Sequence, residues 1–489
     1  MTDQQFLTWL KDPAAVRTVL IETVARIGGV ETTIYMSTVA YNTAPTDVPA
    51  NTHYRPIASV GVLFTEELSL TGDGALSAGD IEIDNYNGER DAWLDYVWTN
   101  RQFKAFIGDV RWPRASFRPI FDGIVADIAP GGREKLLLKL RDKLQRLNAP
   151  LSEAKLGGST ENADAPIPLA FGEVHNVTPL LVDPATLQYQ VHAGAVEGIF
   201  EVRDNGIPVD VDVNNATGTF TLQHDSKGAV TVSLQGDKAG AYANTVAGLV
   251  RRLVMGYGKP TERFVEADLD TASMAAFDAQ HPAPVGLYAP DRLNVLAACQ
   301  MLAGSVGAQL SMSRLGKLRL IQLALPAPGP VVEVRPQHMI ERSLVPTGRT
   351  AVVGAVKLGF NKNWTVQRGL VTNIPEEHKD MFATEWLTTT KSDAAVQAAH
   401  RLNGEPKQED TMLLRRVDAN AEAQRRLDLW KAPRMTYEFE GMPELLLLEL
   451  GQAIRVYHPR YGMQQGVSGM VIMIGRDWKT GRVKVRFVV

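Results

Sequence analysis

Cysteine is nearly missing from this chain: Cys299 is the only one in 489 residues. An intramolecular disulfide is therefore excluded, as is a zinc or iron–sulfur centre held by several cysteines of one chain. A reducing compartment suits such a composition. Long apolar runs are missing too. Windows such as Val352–Leu358 fall far short of the roughly 20 residues that a membrane-spanning helix needs. The opening residues, MTDQQFLTWLKDP, place an acid ahead of any apolar run, which is not the layout of a secretory leader. The expectation is a soluble protein without membrane insertion. A basic excess is also lacking: 51 Lys+Arg stand against 55 Asp+Glu, for a formal net charge of -4 and a pI of about 6.2. No long Lys/Arg run occurs, so a dedicated nucleic-acid binder is not indicated.

Catalytic patterns are equally scarce. None of the 9 histidines stands three or four residues from another, so a helical two-histidine metal site is absent. His53, His281, His338 and His458 read as loop or surface residues. Gly72-Asp73-Gly74 and Gly131-Gly132 open neither a Walker nor a dinucleotide-binding loop, and read as turns. Asp80, Glu82 and Asp84 share one face of a strand. They admit a reading as paired catalytic carboxylates or calcium ligands, but a solvated face that discourages edge-to-edge pairing is the stronger reading. Asp210 and Asp212 read the same way. Asn176-Val177-Thr178 and Asn215-Ala216-Thr217 match the glycosylation sequon, by chance in a chain without a leader. Trp93, Tyr96 and Trp98 admit a carbohydrate platform, against which helical spacing makes Trp93 and Val97 core residues. No catalytic, cofactor-binding or metal-ligating residue is assigned, no cofactor is implied, and the chain is not expected to be an enzyme.

What is present is architecture. Hydrophobic residues make up 45% and charged residues 22%, enough to build cores in roughly three or four domains at this length. Residues 1–25 read as helical, with Phe6, Leu7 and Leu10, then Val16, Leu20 and Val24, at helical spacing. From Gly28 the period changes to two. Strands are predicted at Thr32–Ser37, Ile57–Phe64, Ala78–Asn85, Lys104–Asp109, Phe117–Ala126 and Lys135–Leu140, with short helices at Asp91–Trp98 and Lys143–Leu147. Asn42–Pro56, with three prolines, reads as an exposed excursion. Ser152–Ala165 is linker-like. Beyond it come short strands at Tyr189–Ala193, Ile199–Arg203, Val209–Val213, Thr219–Leu222 and Val230–Leu234. Asp204-Asn205-Gly206 and Asn214–Gly218 are hairpin signals among them.

Helices are predicted at Thr245–Gly256, Ala267–Phe277 and Asp291–Gly304, the last starting at Asp291. A hairpin, Ala308–Met312 and Lys317–Ile321, follows. After the linker Pro326–Pro330 a long strand is predicted at Arg349–Phe360, then helices at Asp393–Arg401 and Ala419–Lys431. The chain closes on three β-rich runs, Ala453–Tyr457, Gly469–Ile474 and Arg482–Val488, which read as a small barrel. In the last run basic and apolar residues alternate, so one face is buried and the other wet. The fold class expected is mainly β with α+β parts, multidomain. The divisions are a first β-rich domain with an N-terminal helix at 1–150, an inserted β-module at 166–240, a helix-and-hairpin unit at 241–330, and a second β-rich domain at 331–489.

Three stretches resemble baseplate hub or central tail-tip proteins of long-tailed bacteriophages. They are Pro168–Pro179 with Tyr189–His192, the helix-plus-hairpin Asp291–Leu320, and Leu450-Gly451-Gln452 through Val488. The first is similar to tail proteins of transposable siphophages. The resemblance implies two tube-like β-barrel domains, 1–150 and 331–489, in a ring that continues the tail tube. It implies a cyclic homo-oligomer, a trimer with quasi-six-fold symmetry. Its partners would be the distal tail protein, the tape measure and fibre or spike proteins, with DNA only in transit. The location would be the virion, at the tail tip, after assembly in the host cytoplasm. Some tail-tip relatives carry an iron–sulfur cluster or a lytic domain; one cysteine excludes the first in cysteine-ligated form. A distal-tail or adaptor ring protein, or a carbohydrate- or receptor-binding tail protein, are the alternatives. Arg482, Lys484 and Arg486 are expected to face neighbouring protein and not a channel.

Overall fold

A computed structural model describes residues 2–59, 63–70, 78–368, 370 and 374–489. The fold is mainly β and multidomain. It forms two compact units, each assembled from separate pieces of chain: residues 1–146, 311–351 and 433–489 make one, residues 147–310 and 352–432 the other. The 331–489 stretch therefore does not stay together, because residues 352–432 pack into the second unit.

The first unit begins with the helix Asp3–Lys11, closed at its start by a capping box: the Thr2 hydroxyl accepts from Gln5 N, and the Gln5 side chain accepts from Thr2 N. Helix does not continue to residue 25. Arg17–Ile27 is a strand, and the helical reading of Val16, Leu20 and Val24 fails for a specific reason. Val19, Leu20 and Ile21 are all buried, so the strand is apolar on both faces there and its alternation is hidden. Leu20 packs with Tyr41, Tyr54 and Phe117 on the far face. Gly28 and Gly29, both at positive φ, form the two-residue turn into Val30–Ser37, a geometry that glycine enters without strain.

One sheet of fourteen strands dominates this unit. Its path runs Val30–Ser37, Arg17–Ile27, Arg101–Asp109, Arg118–Gly132, Lys135–Arg141, Ala78–Asp84 and Leu63–Glu67. It then crosses to Val467–Asp477, Val483–Val488, Met435–Gly441 and Val345–Arg349. The closing run Val483–Val488 is paired on both sides. The expected small barrel is thus the second lobe of a sheet shared with residues 17–141. Part of the predicted strand Ile57–Phe64, and Gly72-Asp73-Gly74, lie outside the described residues. The Asn42–Pro56 excursion is anchored, since Tyr41–Asn42 pairs with His53–Tyr54 and Tyr54 is buried.

The second unit has two small sheets around one core of Val174, Val202, Phe220, Leu234 and neighbours. The five-stranded sheet is ordered Ile207–Pro208, Val196–Asp204, Val230–Asp237, Leu169–Val177 and Gly286–Ala289. The four-stranded one is Leu180–Asp183, Gln188–Gln190, Thr219–Leu222 and Val211–Asn214. Both turn signals, Asp204-Asn205-Gly206 and Asn214–Gly218, sit in hairpins. Gly286–Ala289 extends the sheet of the 166–240 stretch. Gly286 is required there, because a Cβ would meet the Glu173 carbonyl oxygen at 1.7 Å. The 152–165 stretch is no open linker: Leu156 N donates to Ala165 O and Gly157 N to Ala163 O, folding it back on itself.

Helices Val246–Gly256, Thr271–Gln280 and Val295–Gly304 are capped by Thr245, Asp270 and Asn294. The last therefore starts four residues later than the expected Asp291. The predicted strand Arg349–Phe360 is two strands, Val345–Arg349 and Ala355–Phe360, which belong to different units. The second pairs with Leu387–Ser392 and Gln408–Asp410, and its Val356 and Leu358 pack on Ala423 and Leu427 of the helix Arg416–Trp430.

Candidate assembly site: the strand joint and its ionic face

The two lobes of the large sheet meet where Leu63–Glu67 pairs with Val467–Asp477. Sequence separation across this joint exceeds 400 residues, since Arg476 binds Glu66. Arg476 is only 2% exposed and Glu66 5%. Nε and Nη2 donate to the Leu446 and Leu448 carbonyl oxygens. A buried arginine is tolerable only with this many acceptors. Beside it Phe64, Phe121 and Trp478 pack ring to ring, Phe64 and Phe121 at 4.3 Å between centroids. The joint is thus pinned by one ion pair and one aromatic cluster.

On the wet face of the closing strand the cations find partners within the chain. Lys484 Nζ lies 2.7 Å from Glu438 Oε1. Arg486 donates to Glu438 Oε2 at 2.9 Å and to Glu67 Oε1 at 2.9 Å. Arg482 lies 4.0 Å from Glu440. The register sets this up: Arg486 stands directly opposite Glu438, and Lys484, opposite Glu440, reaches Glu438 across the diagonal. Burial opposes ionisation of Glu438, but hydrogen bonds from Lys484 and Arg486 outweigh it and hold its pKa below the usual glutamate range. The face read as basic from the sequence is an ionic ladder. Two of its carboxylates, Glu438 and Glu440, sit on Met435–Gly441, a strand the sequence pattern did not reveal, and Glu67 ends Leu63–Glu67.

Two further buried networks were not legible. Glu22 Oε1 accepts from Arg114 Nη2 at 2.7 Å and from the Tyr54 hydroxyl, with the guanidinium 3.8 Å over the Phe106 ring. Burial, then the Glu22 contact, pushes the Tyr54 phenol up. Asp109 accepts from Trp9 Nε1 and Val16 N and is gripped by Arg111. The Arg111 hydrogen bonds hold its carboxyl well below the carboxylate range. The Trp9 contact ties the first helix to the sheet.

The sequence-level candidates are dispersed. Lys135 reaches Glu82 at 2.6 Å, and Lys139 stands opposite Asp80, so that acidic face is matched by lysines of the next strand. Asp210 and Asp212 are exposed at an end strand of the four-stranded sheet. Trp98 is buried, 2% exposed, with its Nε1 donating to Trp93 O. Val97 is exposed, reversing the expectation that Trp93 and Val97 form the core. Asn176 is buried and donates to Asn363 Oδ1 and Thr365 O, and Asn215 is exposed. His53, His338 and His458 lie in the first unit and His281 in the second. Among the described residues no group of three or more His, Cys, Asp or Glu is arranged to hold a metal ion, and no helix is long and apolar enough to cross a membrane. Cys299 is fully buried.

No family model and no curated protein matches the chain. Solved structures similar to it are components of phage tails and tail-like particles. A 43 kDa tail protein of prophage MuSo2 from Shewanella oneidensis is 11% identical at a TM-score of 0.44, covering 96% of this chain and 98% of that one. A tail protein from Neisseria meningitidis is 9% identical at 0.37, with 96% of each chain covered. A chain of a gene transfer agent virion is 12% identical at 0.41, covering 71% of this chain and 91% of that one. Bacteriophage tail proteins are the class to which the sequence resemblance points. At these identities and scores the likeness assigns no role to any residue here.

Proposed function

We propose that the chain is a structural baseplate hub protein of a long-tailed phage, without catalytic activity. Three copies form a ring around the tail axis at the virion's tail tip. The ring joins the tail tube and tape measure above to distal-tail, fibre or spike proteins below, and lets DNA pass. Assembly takes place in the host cytoplasm. The observation that carries this reading is the single sheet running through residues 17–141, 332–349 and 435–488. It supplies two β-rich lobes per chain, six in a trimer, in register with a hexameric tube. The ionic ladder supports it: Lys484 and Arg486 are neutralised inside the chain, so they offer no counterion-releasing grip on passing phosphates. The sequence resemblance supports it as well.

Imaging of tails that contain the chain tests the proposal, with mass measurement of the purified protein alongside. A three-fold ring on the axis is expected. A monomer on the outside of the tail would overturn it, and a six-fold ring would make the chain an adaptor protein instead.

A further inference from the structure

The main path of the large sheet ends in two strands of opposite character, and its side branches end in the short strands Val332–Val334 and Ala58–Ser59. Val345–Arg349 is blunted. Pro346 has no N–H, and a bulge falls between Pro346 and Gly348 where the strand pairs with Met435–Gly441, both devices that discourage strand addition. Val30–Ser37 has neither. Its first part, Val30-Glu31-Thr32-Thr33-Ile34, is rich in β-branched residues, and Val30 is 66% exposed.

Which backbone groups point outward follows from the turn. Ile27 and Val30 flank the Gly28-Gly29 turn and bond each other. Thr32 and Ile34 repeat that inward orientation, and Glu31, Thr33, Tyr35 and Ser37 point away. The last two are used: Ser37 N donates to Arg55 O at 2.7 Å, and Arg55 N donates to Tyr35 O at 3.3 Å. That agreement supports the assignment. The N–H and C=O groups of Glu31 and Thr33 have no partner among the described residues.

We propose that this edge takes an extended segment of a different tail protein as an added strand, bonded to Glu31 and Thr33 and stopped at Arg55. The inference rests on the hub reading and names one of its contacts. A second copy of this chain is the poorer occupant on two grounds. Head-to-tail pairing would need another end strand, and of these Val345–Arg349 is blunted by Pro346 and its bulge, while Val332–Val334 and Ala58–Ser59 are very short. Pairing of two Val30–Ile34 edges would give a two-fold dimer, which does not close a three-fold ring. The incoming segment needs a free N–H at alternate positions and a β-branched or apolar residue beside Val30. A carboxylate suits Arg26, an exposed guanidinium whose Nε donates to Gly29 O and which has no acidic partner among the described residues.

Amide exchange at Glu31 and Thr33 tests this, in the purified oligomer and in particles that contain the chain. Free exchange is expected in the first, and exchange slowed about ten-fold or more in the second. Thr33→Pro removes an outward N–H and keeps the ladder, so the purified protein's melting temperature and oligomeric state should stay while the added strand is lost from particles. Thr32→Pro removes an inward bond and serves as the destabilised comparison. Protection already present in the purified oligomer would make the occupant a second copy and overturn the proposal. Free exchange in particles would overturn it too and leave the hub reading standing. Absence of the chain from every particle would instead fail the hub reading, and the proposal with it.

Discussion

Two ionic clusters on the same sheet use the same residue types and do different work. At the joint, Glu66 and Arg476 are buried beside an aromatic cluster, and each guanidinium nitrogen donates to an acceptor. Around the closing strand, Lys484, Arg486 and Glu67 are partly open to water, with Glu438 14% exposed between them. A buried pair is expensive to break, because the partner left behind remains charged in a poorly solvated place. A surface ladder is screened, and water replaces what is lost. Continuity of the two lobes therefore leans more on the first cluster than on the second.

The sharpest way to break that contrast is Arg476→Met. It strands the Glu66 carboxylate and should destabilise the first unit by about 3–5 kcal/mol, read as a shift in denaturant midpoint. Adding Glu66→Gln should recover much of the loss; no recovery would mean that the arginine acts through the Leu446 and Leu448 carbonyls instead. Phe64→Ala, beside the same joint and 1% exposed, belongs in the same range of roughly 3–5 kcal/mol by cavity formation.

Glu438→Gln comes next, at about 1 kcal/mol near neutral pH. Its sign with pH is fixed. The folded pKa is lowered, so the stabilisation is present above the ordinary glutamate range and is lost as pH falls through the folded value. The substitution should flatten that part of the acid slope, measured as melting temperature between neutral and acid pH. An unchanged slope would show that the ladder is not coupled to folding. Arg482→Ala should be the smallest, within about 0.5 kcal/mol, since its partner is 4.0 Å away and both side chains are more than half exposed.

Periodicity made much of the fold legible. The strands at Ala78–Asp84 and Lys135–Arg141, the hairpins at Asn205-Gly206 and Asn214–Gly218, and the helices capped by Thr245 and Asp393 are all local. Turn chemistry and side-chain alternation act over a few residues, so a few residues reveal them. Arg17–Ile27 reads as helix in the sequence because burial on both faces erases the period that marks a strand.

What the sequence determined alone is the β-rich class, the positions of tight turns, and the exclusion of multi-cysteine centres by Cys299. What only the tertiary structure decided is which strands meet. Leu63–Glu67 finds Val467–Asp477 across most of the chain, residues 352–432 leave the C-terminal β-lobe for the second unit, and the basic strand finds its glutamates on Met435–Gly441. Those pairings bury surface between segments distant in sequence. A strand's own pattern states which face is apolar, and it carries no information about which distant strand will cover that face or neutralise the other.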